Sequence, residues 1–187
     1  MNQPELAIGQ AWRFQDAPST EARVVIARIE PRGGRRVVHF SVVGLPMPPE
    51  AGELIATIEA AAADVAPEPA ASEPPTQIIL GGMFGSDGEW YAGSLILDKA
   101  SETASIPHVA LYEDDLRSAL TELMENDRPQ HEHFAFDFQL WEQAERDWPS
   151  LHDSELTMPL ATRVRDALRF ATDLLQTFRS DPPQAEQ

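Results

Sequence analysis

Apolar and polar positions alternate through the first quarter of the chain. Residues 7–14 (AIGQAWRF) place Ile8, Trp12 and Phe14 on the inner side of a strand, and Asp16-Ala17-Pro18-Ser19 ends it in a turn. Residues 21–30 are rich in Val and Ile: Val24, Ile26 and Arg28 share one face, Val25, Ala27 and Ile29 the other. Pro31-Arg32-Gly33-Gly34 signals a tight turn, since glycine reaches positive φ without steric cost. Residues 35–44 form a third strand, with Val38, Phe40 and Val42 on one face and Val37, His39 and Ser41 on the other. Short consecutive strands joined by tight turns predict an antiparallel meander or a small SH3-like sheet.

The period then changes. Pro46, Pro48 and Pro49 end the sheet pattern, because proline cannot donate to a ladder. Leu54, Ile55, Ile58, Ala61, Ala62 and Val65 recur at helical spacing over residues 50–65, and residues 66–76 read as a Pro/Ala-rich linker. Residues 77–100 predict a hairpin turning at Gly85-Ser86-Asp87-Gly88, with Gly81, Gly82 and Gly93 marking bulges or close backbone approach. After an extended segment at 105–111, apolar spacing predicts helices over 113–126 and 136–148, the second anchored by Phe138, Trp141, Ala144 and Trp148. A third helix opens with Thr157 as N-cap and Pro159 in its first turn, and Asp181-Pro182-Pro183 follows its end. The pattern predicts an α+β fold, a small antiparallel sheet from the N-terminal half packed against C-terminal helices. Residues 1–180 form one domain carrying 46–105 as an insertion, with 181–187 as a disordered tail.

Charge changes this picture more than any other bulk property. Six arginines and four acids give residues 1–44 a charge of +2, while the whole chain carries −17, so residues 45–187 hold −19. A field of that sign repels nucleic-acid phosphates and anionic lipid, and favours either a basic protein partner or simply solubility, as a solvated acidic surface. The absence of cysteine excludes disulfides, thiolate chemistry and iron–sulfur ligation. The first residues, MNQPE, lack the basic and apolar regions of a signal peptide, and residues 24–29 and 37–45 are too short to span a bilayer. The expectation is a cytoplasmic protein. The single lysine against thirteen arginines fits a GC-rich bacterial genome.

Three segments carry a resemblance: residues 8–14 (IGQAWRF), residues 37–42 (VVHFSV), and Ile106-Pro107-His108 followed by 113–122, with weaker support from Trp141 and residues 157–160. Together they resemble a group of small uncharacterised bacterial proteins that open on a Gly-Gln-x-Trp strand. In that group the strand pair joins the Ile-Pro-His segment more directly, so residues 46–105 intervene here. The resemblance implies architecture, assigns no activity, and directs attention to His39 and His108.

Histidine titrates near neutral pH and ligates metals. If the strands carrying His39 and His108 pair, the two imidazoles share a pocket with an acid from residues 113–115, a possible ligand site that Trp12 would help to line. The competing reading is a pair of hydrogen-bonded structural imidazoles. His131-Glu132-His133 has i, i+2 spacing rather than the i, i+4 of helical zinc sites and reads as a polar loop; His152-Asp153-Ser154 also lies in a loop. No Gly-x-Ser-x-Gly elbow, P-loop or calcium loop occurs, so no catalytic residue, metal or cofactor is assigned. Glu89, Trp90 and Tyr91, next to the hairpin turn, are the candidates for a partner-binding surface. Three functions follow, the third a structural or oligomerising role through the inserted hairpin. The first is a non-enzymatic, acidic, immunity- or antitoxin-like module for a basic partner. The second is a small-ligand binder or enzyme built on His39 and His108.

Overall fold

The computed structural model describes residues 4–49, 51–52, 55–56, 77–84, 91–124, 130–147 and 155–180. Its centre is one antiparallel sheet of seven strands. These are β1 (Ala11–Phe14), β2 (Arg23–Arg32), β3 (Arg35–Pro46), β4 (Gln77–Phe84), β5 (Tyr91–Asp98), β6 (Thr103–Tyr112) and β7 (Leu120–Met124). They lie in the order β4-β5-β6-β3-β2-β1-β7. Two meanders, β1-β2-β3 and β4-β5-β6, therefore join through the β3–β6 pair. The hairpin of residues 77–98 belongs to the same sheet as the N-terminal strands, and the fold is α+β, with C-terminal helices on the sheet. The helices are α1 (Glu113–Ala119), α2 (Phe134–Asp147) and α3 (Leu160–Ser180).

Alternation explains the two layers. Val38, Phe40 and Val42 of β3 meet Val24 and Ile26 of β2, Leu95 and Leu97 of β5, and Val109 and Leu111 of β6 in the larger core. Leu116 of α1 and Leu160, Val164, Ala167 and Ala171 of α3 complete it, the last four at helical spacing on one stripe. Val37, Ala110, Phe134, Phe138, Trp141 and Leu156 form the second core, under α2. Gly33 (φ +56°) and Gly34 (φ +82°) link β2 to β3, with Arg32 opposite Arg35, so the two-residue turn takes the positive φ at both positions that a twisted hairpin needs.

Several expectations are corrected. Residues 113–126 are not one helix: α1 ends at Ala119, and Leu120–Met124 runs as β7 along the outer edge of β1. The unpaired edge of β1 offers backbone hydrogen bonds that helical spacing alone does not reveal; the Leu120 N–H closes the helix on the Leu116 carbonyl. Ile8 is exposed rather than inward, lying before β1 begins. Gly81, Gly82 and Gly93 sit in unbroken β4–β5 register, with no bulge. Pro159, not Thr157, is the residue ahead of α3, its carbonyl accepting the Arg163 N–H at 3.1 Å. Of the helix expected over 50–65, Ala51, Gly52, Ile55 and Ala56 are helical; the remainder of that stretch, the linker 66–76, the turn 85–88, Trp148 and the tail 181–187 lie outside the described residues. Among the described residues no helix is long and apolar enough to cross a membrane.

Phe40 is fully buried where β2, β3 and β6 meet. Phe40→Ala is expected to lower stability by about 3–5 kcal/mol. Ile79→Ala, on the exposed side of β4, should stay within about 0.5 kcal/mol of the parent. Urea unfolding checks both, with the midpoint moving at constant slope.

Candidate functional site

The site begins with two irregularities in the central strands. Between Ile26 and Arg28 the β2–β3 register shifts by one residue, placing Arg28 opposite His39. A bulge re-aims the side chains that follow it. The Arg28 guanidinium lies 4.7 Å from the Phe138 ring centre and Glu30 reaches His39, so both work on the α2 side, while Ile29 packs on the larger core. The expectation that Arg28 continues the Val24–Ile26 face is thereby reversed. In β6, Phe40 pairs with Val109 but Val42 with Ile106, so Pro107 and His108 together face Ser41. A bulge is where a central strand tolerates proline. The Ser41 hydroxyl donates to the Pro107 carbonyl at 2.6 Å.

These two devices bring His39 and His108 together. Their strands pair, and His39 Nδ1 lies 3.0 Å from His108 Nε2, with the rings nearly stacked. Both side chains are buried, at 0% and 6% exposure. The acid beside them is Glu30, not one of residues 113–115: its Oε1 is 3.3 Å from His39 Nε2. That contact is too bent to count as a hydrogen bond, and His39 Nε2 has no other hydrogen-bond partner. It still selects a tautomer. A proton on Nε2 faces the carboxylate, whereas a bare lone pair there would be repelled. His39 Nδ1 then accepts from His108 Nε2–H. Glu113 is engaged elsewhere, with Arg36 at 3.0 Å and Arg117 at 2.8 Å.

Helix α2 covers the pair with aromatic rings. Phe138 and Trp141 meet His39 edge-on at 5.1 and 4.9 Å between centroids, and Phe134, Phe138 and Trp141 surround His108. These are the favoured edge-to-face geometries. Arg32 stands 5.9 Å from the Trp141 ring and forms an ion pair with Glu145, tying β2 to α2. Near the start of α2, the buried Asp137 accepts the Ser94 N–H and hydroxyl, both at 2.9 Å. Burial raises its pKa, against the lowering effect of those Ser94 bonds. The pKa of His39 is lowered to about 4, chiefly by burial; Glu30 opposes the shift, while Arg28 and Arg32 add to it. The ring is neutral at pH 7.

The chemistry open to this arrangement is narrow. Beside His108 is a cavity of about 20 Å³, reached also by Ser94, Trp141, Glu155 and Arg163. That volume holds about one water molecule, far below the roughly 300 Å³ at which small-ligand sites begin. Trp12 lies in the other layer, buried with the larger core, its indole N–H donating to Gln10 Oε1 at 3.0 Å, so it is not brought to the histidines. Glu89 and Trp90 lie outside the described residues, and Tyr91 is placed only as the first residue of β5, opposite Phe84. His131 and His133 precede α2 with ring centres 5.5 Å apart. Among the described residues no group of three or more His, Asp or Glu side chains is arranged to hold a metal ion. No protein-family model, curated protein or solved structure matches this chain.

Sequence reasoning missed Glu30, Arg28, Arg32 and the Ser94–Asp137 link. One signal was present: Ile26 and Ile29, three apart in a strand of period two, mark the bulge that turns Arg28 and Glu30 toward the histidines.

Because His39 is buried neutral, its pKa links folding to pH. The unfolded chain takes up a proton between about pH 6.5 and 4 that the folded protein refuses. Its contribution is fully present above pH 6.5, declines as pH falls through that window, and levels off below pH 4, a loss of roughly 3 kcal/mol. Asp137, with its raised pKa, acts in the opposite sense. Urea unfolding at pH 7 and pH 4.5 should show the decline in the parent and a flatter profile in His39→Gln; equal slopes in both would rule out His39 as its source.

Proposed function

We propose that this chain is a non-enzymatic interaction module, of the immunity- or antitoxin-like kind, whose acidic surface takes a basic protein partner. The observation that carries this reading is where the arginines go. The basic N-terminal tip is consumed within the molecule: Arg32 pairs with Glu145, Arg35 with Asp115 at 3.1 Å, and Arg36 with Glu113 at 3.0 Å and Glu5 at 3.3 Å. Arg13 and Arg28 pair with Glu122 and Glu30 in the same way. The exposed pairs among these, such as Arg13 with Glu122, add little stability. Together the pairs do remove the positive patch that would compete with a cationic partner, and a net charge of −17 remains. Complementary potentials of that size raise association rates and suppress wrong partners.

Capture from the host's own lysate at low ionic strength is expected to recover a basic protein at near-equimolar amount. The association rate of the purified pair should fall about tenfold or more from low to physiological salt. Recovery of no protein, or a rate indifferent to salt, would sink the reading.

One observation favours a second function. Glu30, His39 and His108 form a carboxylate–imidazole–imidazole chain of the type that moves protons. Its burial and the one-water cavity oppose it. A metabolite that raises the melting temperature of the parent but not of His108→Gln would establish this reading in place of the first.

A further inference from the structure

Helix α2 differs from the rest of the fold in what it covers. Among the described residues it contributes no side chain to the larger core, and the seven-strand order is complete without it. It holds its own face of the sheet through the smaller core, where Phe134, Phe138 and Trp141 meet Val37, Ala110 and Leu156, and through the Asp137–Ser94 and Arg32–Glu145 contacts. Beneath it lie His39 and His108, while the larger core contains no histidine. The two buried imidazoles are thus confined to one layer.

Geometry limits how many protons that layer can hold. The 3.0 Å contact between His39 Nδ1 and His108 Nε2 needs one of the two nitrogens to be bare. One added proton fits on His108 Nδ1; a second sets N–H against N–H and breaks the contact. Neither cation would find water, since both rings are buried and three aromatic side chains close over them. The charges that face the pair do not compensate. From β2, Glu30 favours a cation on His39, and Arg28 and Arg32 oppose it. Glu145 of α2 is engaged with Arg32. Beside His108, Glu155 lies 3.5 Å from Arg163, so those two charges largely cancel. Asp137 of α2, with Ser94 and His133 around it, acts the other way: acid favours its buried form.

We propose that α2 is an acid-released cover: protonation of the imidazole pair lifts it from the sheet, while the seven strands, α1 and α3 stay folded. Release returns both rings to water, where an imidazolium is hydrated, and uncovers Phe134, Phe138 and Trp141. It gives up only the smaller core and leaves the larger one in place. Folds open in cooperative units of this kind, the least buried first. Fourteen residues are too few to hold a helix alone in water, so α2 unravels as it leaves. Acid therefore opens one face rather than the whole molecule.

The test is amide hydrogen exchange of the parent protein at pH 7 and pH 4.5, with protection factors corrected for the intrinsic exchange rate at each pH. On release the His39 pKa returns from about 4 to its ordinary 6.5, which alone raises the open population roughly fiftyfold across that interval. Asp137 takes back part of this, so the amides of Trp141 and Ala144 should lose about tenfold more protection, or better, than those of Val164 and Ala167 in α3. His39→Gln should abolish the excess loss. Should that variant not fold, Glu30→Gln, at a partly exposed position, should enlarge the loss by removing the acid that favours the His39 cation. Equal losses in α2 and α3, α2 protection indifferent to acid, an excess loss that survives in His39→Gln, or one that shrinks in Glu30→Gln would each overturn the proposal.

Discussion

The structure turns on keeping one basic ring, that of His39, uncharged in its interior. His39 and His108 sit at the centre of the seven-stranded sheet, on β3 and β6, where the two meanders join. An isolated imidazolium there would lose its hydration without recovering it, so burial drives the proton off His39. A neutral imidazole is a flat, half-apolar body with one donor and one acceptor. The contact between the two rings satisfies one nitrogen of each. What remains is ring edge and face, and Phe134, Phe138 and Trp141 of α2 match it with edge-to-face contacts. The aromatic stripe of α2 therefore follows from the imidazole pair beneath it. The larger core across the sheet, where no imidazole needs covering, is built mainly from Val, Leu, Ile and Ala.

Charge is arranged around the same layer. Arg28 and Arg32 approach the aromatic rings from β2, and each is held by a carboxylate, Glu30 and Glu145. Both cations help to keep the His39 proton off, while Glu30 pulls the other way. The opposition explains why a carboxylate 3.3 Å from the ring does not leave it charged: burial outweighs one partly exposed acid, and two guanidinium groups partly cancel that acid. The same pairing moves positive charge from the sequence's basic start onto its acidic half. A chain divided between +2 and −19 along its length folds so that Arg35 and Arg36 of its basic start are matched by carboxylates of its acidic half.

Periodicity made most of this fold legible. The strands at 23–32 and 35–46 and the turn at Gly33-Gly34 follow from alternation and turn chemistry, and so does the outward turn of His39 from the Val38–Phe40 face. Phe138, Trp141 and Ala144 announce the buried stripe of α2. What alternation hides is any place where the count slips. The bulge before Arg28 inverts the faces of the rest of β2, so the acid partner of His39 comes from Glu30 and not from the residues after β6. The helix expected over 113–126 fails for a related reason. Leu116, Leu120 and Leu123 fit a helical stripe, but the open edge of β1 outcompetes local preference after Ala119. Long-range hydrogen bonding decides both cases, and a local pattern cannot contain it.

The imidazole contact has one more consequence, in strand register. The β3–β6 pair joins segments some 70 residues apart and carries two irregularities, so backbone hydrogen bonding alone specifies its alignment weakly. A slip of one residue in β6 would turn His108 onto the Phe40 face, burying an unpaired ring among aliphatic side chains and leaving His39 Nδ1 without a donor. It would also pull the Pro107 carbonyl from the Ser41 hydroxyl. Two apolar residues in place of the histidines would pack in more than one register and would penalise the slip far less. The polar pair thus exacts a cost on burial and returns alignment, the use for which buried polar groups are best attested.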